Sequence, residues 1–191
     1  MDEVLISRCR AGGANAFGLL FEQYKNLVYK TAYLMTGSAA DAEDILQEVF
    51  LQVHRSLGTY DPSRGALSTW LHRITVNRCL NWRRGRRFSW SLERIPDRER
   101  GDDRPSLESL AERDSVRHAL DGLSDKLRIV VVLRHYWGLS NAEIAQILEL
   151  PLGTVKSHIF RGRQKLQQWL KEHDHSLQTP GDDPASEARH A

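Results

Sequence analysis

The stretch Leu139–Leu170, LSNAEIAQILELPLGTVKSHIFRGRQKLQQWL, constrains this chain more than any other. It reads as two helices joined by a tight turn. Ser140 and Glu143 have the spacing of a capping box, in which each satisfies a free N–H of the first turn for the other. Ile144, Ala145, Ile147 and Leu148 follow as an apolar stripe at helical spacing, with Ala145 small where two helices approach. Pro151 stands where a helix start tolerates a fixed φ and a missing N–H. Val155, Ile159, Leu166, Trp169 and Leu170 form the expected buried face of a longer second helix. Lys156, Ser157, Arg161, Arg163 and Lys165 fall on its other face. A helix divided in this way has cations to neutralise phosphates and polar side chains near its N-terminus to reach base edges in a major groove. The pattern predicts a helix-turn-helix; it also fits a helical hairpin with a solvated basic face.

Charge along the chain sharpens the choice. The formal net charge of +2 hides a strong segregation. Asp41, Glu43, Asp44 and Glu48 occupy residues 37–50 without a Lys or Arg, while residues 61–90 carry seven arginines against Asp61 alone. Residues 151–172 add five cations against Glu172. Two basic zones predict two contacts on one polyanion, and the acidic zone suits a protein partner. The longest aliphatic run, Ile129–Leu133, is too short to span a bilayer. The N-terminus, with Asp2 and Glu3, has no apolar signal region, so a cytoplasmic chain with no direct membrane insertion is expected. Cys9 and Cys79 match no metal spacing, and no metal or cofactor is expected.

Taken in order, residues 3–36 read as a short helix, a break at Gly12-Gly13 and a longer amphipathic helix carrying Phe17, Leu20, Phe21, Tyr24, Leu27, Val28 and Ala32. Ser38 or Asp41 can cap a third helix, 39–57, with Ala42, Ile45, Val49 and Val53 inward and Asp44, Gln47 and Glu48 outward. A loop follows at 58–65, then a helix from Ala66 to about Gly85 with Leu67, Leu71, Ile74 and Leu80 as its core face. The polar, Pro- and Gly-punctuated segment RIPDRERGDDRPS reads as a flexible linker. Helices are expected again at 110–123 and 124–137, with Leu127, Ile129, Val130, Leu133 and Tyr136 building a core under the helix-turn-helix. The chain is therefore expected to be all-α. Its two small helical domains, 1–88 and 110–172, are joined by a flexible linker at 89–109 and followed by a disordered tail at 173–191.

Three blocks carry a resemblance across that linker: DAEDILQEVFLQVHRSL, STWLHRITVNRCLNWRR and GLSNAEIAQILELPLGTVKSHIFRGRQKL. Together they resemble a bacterial sigma factor of the short, extracytoplasmic-function (ECF) group, over about residues 10–88 and 110–170. The resemblance implies a dissociable specificity subunit that binds core RNA polymerase and promoter DNA, with an anti-sigma factor as its regulator. It places Asp44, Gln47 and Glu48 on the polymerase-docking face. Tyr60, Trp70, Arg73, Asn77 and Asn81 match the part that handles the melted minus-ten element; Asn77 and Asn81 offer donors and acceptors on one helix face, and Trp70 suits either a pocket wall or the core. Arg78, Arg83 and Arg84 can hold the backbone. Thr154, Lys156, Ser157, Phe160 and Arg161 match positions that read the minus-thirty-five element, Thr154 either on a phosphate or as a cap.

Three residues depart from the family pattern. His158 stands where arginine is common, Gly162 where alanine is frequent, and Glu149 where a glycine often makes the turn, so that a left-handed backbone at Glu149 would be strained. Two other function classes were weighed. A helix-turn-helix activator or repressor would ordinarily dimerise on a palindrome, and no heptad seam is present. An enzyme would need a site, yet no HExxH, phosphate loop or nucleophile elbow appears, and His173-Asp174-His175 is the nearest approach to a metal cluster.

Overall fold

A computed structural model describes residues 2–90 and 116–174, with no side-chain description at 14, 86–90 and 174. The expected linker beyond Trp90 and the expected tail beyond Asp174 lie outside the described residues. Helix, turn and loop account for everything described, with no strand.

The N-terminal unit contains α1 (Asp2–Arg10), α2 (Ala14–Thr36), α3 (Ala39–Ser56) and α4 (Leu67–Trp90). Two short 3-10 turns, Leu57–Thr59 and Pro62–Arg64, fill the loop before α4. Helix α2 stops because Gly37 takes a left-handed conformation (φ 73°) and returns its N–H to the Tyr33 carbonyl. Ser38 then caps α3 by accepting from the Asp41 N–H at 3.3 Å. Leu20, Val28 and Met35 of α2, Ala42 and Val49 of α3, and Leu71 of α4 are fully buried between these helices. The α4 helix runs one to two turns past the expected end at Gly85.

The C-terminal unit contains α5 (described over 116–121), α6 (Asp125–Val131), α7 (Asn141–Leu148) and α8 (Leu152–Asp174). Helix α6 passes into one π-helical turn, Val132–Tyr136, closed by the Trp137 N–H on the Val132 carbonyl. Helix α7 carries the full capping box: Ser140 Oγ accepts from the Glu143 N–H at 3.2 Å, and Glu143 Oε2 accepts from the Ser140 N–H at 2.8 Å. The expected core members Tyr136 and Leu170 are 48% and 55% exposed. Tyr136 is the last residue of the π turn, and Leu170 lies near the C-terminal end of α8.

The two units pack on each other. Ile129, Val130, Leu133, Ile144, Ile147 and Val155 belong to the same contiguous core as the residues of α2, α3 and α4. Polar contacts converge on the C-terminal end of α2, whose last carbonyls have no partners within the helix. The Met35 carbonyl accepts from Arg83 of α4 at 2.5 Å and from Arg128 of α6 at 3.0 Å. Arg83 also pairs with Asp125, and Arg128, 1% exposed, donates to Asp121 at 2.7 Å. Cations at a helix C-terminus meet the negative end of its dipole, so the join is electrostatic as well as apolar. Helical periodicity alone does not place an arginine such as Arg128 in a core.

Candidate nucleic-acid interface

Helix α8 begins where the Pro151 carbonyl accepts from the N–H groups of Thr154 and Val155, at 2.9 and 3.1 Å. Val155 is buried and anchors this end against α7. Thr154 and Ser157 are half-buried, and the Ser157 hydroxyl donates to the Thr154 carbonyl at 2.9 Å. Lys156, Phe160 and Arg161 point outward, Phe160 with 61% exposure. None of these three makes an ion pair or hydrogen bond among the described residues. The face is cationic, aromatic and exposed.

All three departures acquire a physical account. Glu149 is left-handed (φ 53°, ψ 43°), the one non-glycine with positive φ among the described residues. Its carboxylate pairs with Arg73 of α4, so the strained position also makes a contact between the units. At Gly162 a Cβ would stand 2.5 Å from Val131 Cγ2. Close approach of α8 to α6 therefore requires the glycine, and packing outweighs helix propensity. His158 is half-buried with its Nδ1 unpartnered. Burial, then Arg161 and Lys126, lower its pKa, so the ring is neutral where an arginine would be charged.

In the N-terminal unit the expected residues separate by environment. Tyr60 is buried, its ring centroid 5.4 Å from that of Trp70 and its hydroxyl donating to the Gly65 carbonyl at 3.0 Å; Arg10 donates to its carbonyl. Trp70 is half-buried and serves the fold on one side. Arg73 is engaged by Glu149. Asn77 and Asn81 are exposed one turn apart and line a polar cavity of about 430 Å³. Beside it, Arg78 pairs with Glu48 of α3 at 3.3 Å. Asp44, Gln47 and Glu48 lie exposed along α3.

His72 was not anticipated from sequence. It is 3% exposed, its Nδ1 has no partner, and its ring stands edge-on to Trp137 at 5.3 Å. Burial pushes its pKa down to about 4, against a small opposing effect of Glu143. Trp137 in turn donates to the Thr31 hydroxyl at 2.9 Å, and Gln146 donates to the Arg64 carbonyl at 2.9 Å. Burial also pushes the Cys79 thiol up to about 12, which leaves it unreactive.

Comparison with known proteins matches each of the two units. Residues 20–89 match the Sigma-70 region 2 model, and residues 113–166 match Sigma-70, region 4. The ECF RNA polymerase sigma factor SigW of Bacillus subtilis is 31% identical over 181 residues, covering 87% of this chain and 95% of that protein. The chain belongs to the ECF RNA polymerase sigma factors. SigE of Mycolicibacterium smegmatis, of the same family, is 42% identical over 161 residues; the match covers 81% of this chain and 61% of that protein's length. Among solved structures, CnrH in complex with the cytosolic domain of CnrY superposes with a TM-score of 0.68 at 26% identity, covering 90% of this chain and 97% of that one. In this sigma factor, region 2 comprises α2–α4 and region 4 the helices from α5 to α8. The described residues hold no cluster of metal-ligating side chains and no helix long and apolar enough to cross a membrane.

Proposed function

We propose that this sigma factor binds core RNA polymerase through Asp44, Gln47 and Glu48, captures the melted minus-ten strand on α4, and reads the minus-thirty-five duplex with α8. The unpaired cationic-aromatic face of α8 is the observation that carries this reading. Lys156 and Arg161 neutralise phosphates, Phe160 contacts a thymine methyl or sugar, and Ser157 and Thr154 reach base or phosphate oxygens. On α4, Asn77 and Asn81 hydrogen-bond an unstacked base while Arg73, Arg78 and Arg84 hold its backbone. Trp70 forms the wall beside them, and Tyr60 supports Trp70 from within the fold.

Melting draws its energy from single-strand binding, so the protein acts as an initiation factor and not as an enzyme. It works in the cytoplasm, where polymerase and promoter are. CnrH is solved with the cytosolic domain of CnrY; by analogy, an anti-sigma partner holds this chain's two units when it is inactive. The reading is tested by reconstituting the protein with core polymerase on a promoter library. Start sites sharing one two-part upstream motif, lost with Asn77→Ala or Lys156→Glu, are the expected result. Duplex binding without any affinity for core would refute it.

A further inference from the structure

The α3–α4 cavity contains a residue that the minus-ten reading above leaves unused. Asn77, Asn81 and Arg84 recur at i, i+4 and i+7 and form one stripe of α4; Arg78 and Leu80 flank it. The opposite wall is Gln52 of α3, one turn beyond Glu48. The Glu48–Arg78 ion pair at 3.3 Å stands beside that wall. Gln52, Asn77 and Asn81 are all exposed, and none has a hydrogen-bond partner among the described residues.

Three carboxamides and two guanidiniums around one cavity are an unusual mixture. Amides can also contact phosphates, but they carry no charge and release no counterion there. Amides instead pair donor with acceptor, which is what a base edge displays. Glutamine matches adenine best, giving a bidentate pair to its N6 and N7. At about 430 Å³ the open, polar groove has room for the edge of one base.

We infer that Gln52 is a specificity-determining residue for one minus-ten base, an adenine edge held between Gln52 and the Asn77–Asn81 pair with Arg84 on the adjoining phosphate. The inference rests on the proposed role of α4 and adds to it a base reader on the helix that also docks polymerase.

The test uses holoenzyme assembled from core polymerase and the full chain, transcribing a library randomised across the minus-ten element. Gln52→Ala sits at an exposed helical position that tolerates alanine. It is expected to flatten the preference at one position by about tenfold, the worth of one good bidentate contact, leaving the minus-thirty-five preference and affinity for core unchanged. Gln52→Glu is expected to shift that position towards cytosine, whose N4 donates to a carboxylate. An unchanged minus-ten preference in Gln52→Ala overturns the inference, as does an equal loss on all sequences or a loss of core affinity. Asn77→Ala and Asn81→Ala, run alongside, separate the two levels. If they alter minus-ten preference and Gln52→Ala does not, only Gln52 is wrongly assigned; if none of the three does, the reading of α4 fails as well.

Discussion

Helices α4 and α8 carry the two basic surfaces of this sigma factor, and they are presented in opposite ways. On α8, Lys156, Phe160 and Arg161 face outward and make no hydrogen bond or ion pair among the described residues. On α4, one side is open at Asn77, Asn81 and Arg84, while the other is covered by region 4: His72 lies under Trp137, Arg73 is paired with Glu149, and Arg83 with Asp125. The outward face of α8 is open to solvent. Under the role proposed for α4, the join between the units covers Arg73, one of the residues assigned to the minus-ten strand.

The largest expected effect on that join is from pH. His72 has a folded pKa near 4 against 6.5 unfolded. A depressed pKa contributes stability that is present above the unfolded value and lost as pH falls towards the folded one. The window is therefore pH 6.5 to 4, and the 2.5-unit difference is worth at most about 3 kcal/mol. Thermal melts of wild type and His72→Leu across that window should diverge as pH falls, with the variant the flatter of the two. Parallel curves would show that the covered side of α4 is not held by a neutral histidine.

Arg128→Met comes next. It removes the buried guanidinium that joins α6 to the Met35 carbonyl and to Asp121. A loss of about 2 kcal/mol in denaturant unfolding is expected, smaller than for a fully buried pair because Asp121 is half exposed and can be hydrated. Gly162→Ala tests the packing beneath the free face of α8. Propensity alone favours alanine by about 1 kcal/mol, but the contact with Val131 costs about 1–3 kcal/mol. A net destabilisation of roughly 1 kcal/mol in the same measurement is the expected sign; stabilisation would mean that α8 shifts freely on α6.

Two surface changes sharpen the contrast with little effect on stability. Lys156→Glu should leave the melting temperature unchanged. Its expected signature is weaker binding of promoter duplex by holoenzyme, with a salt slope shallower by about one or more. Glu149→Gly relieves about 1 kcal/mol of left-handed strain and gives up an exposed ion pair worth about 0–1 kcal/mol. Stability should stay within about 1 kcal/mol, while the freed Arg73 raises affinity for a minus-ten single strand, read by fluorescence anisotropy. Unchanged affinity would show that the Arg73–Glu149 pair covers nothing that matters for binding.

Several details of this fold were readable from local chemistry. The capping box of Ser140 and Glu143, the cap of α3 at Ser38 (one of the two residues offered for it) and the left-handed turn at Glu149 each depend on neighbours within a few residues, and each occurs. The outward set Asp44, Gln47 and Glu48 and the outward Lys156 and Arg161 follow from helical periodicity in the same way. Burial of His72, Thr75 and Arg128 did not follow, because polar residues become core only when another element supplies partners or covers them. Gln52 was passed over for a related reason: a solvated glutamine on α3 gains meaning only when Asn77 and Asn81 stand across a cavity from it.

By itself, the sequence determined the helices, their caps, the turn of the helix-turn-helix and the segregation of charge, since these depend on contacts one to four residues apart. Only the tertiary structure decided which polar residues are core, why glycine suits position 162, and that Glu149 holds Arg73. It also decided how far region 4 covers region 2. Those outcomes depend on pairs such as Met35 with Arg128 and Thr31 with Trp137, which are remote in the chain and meet only when the helices pack.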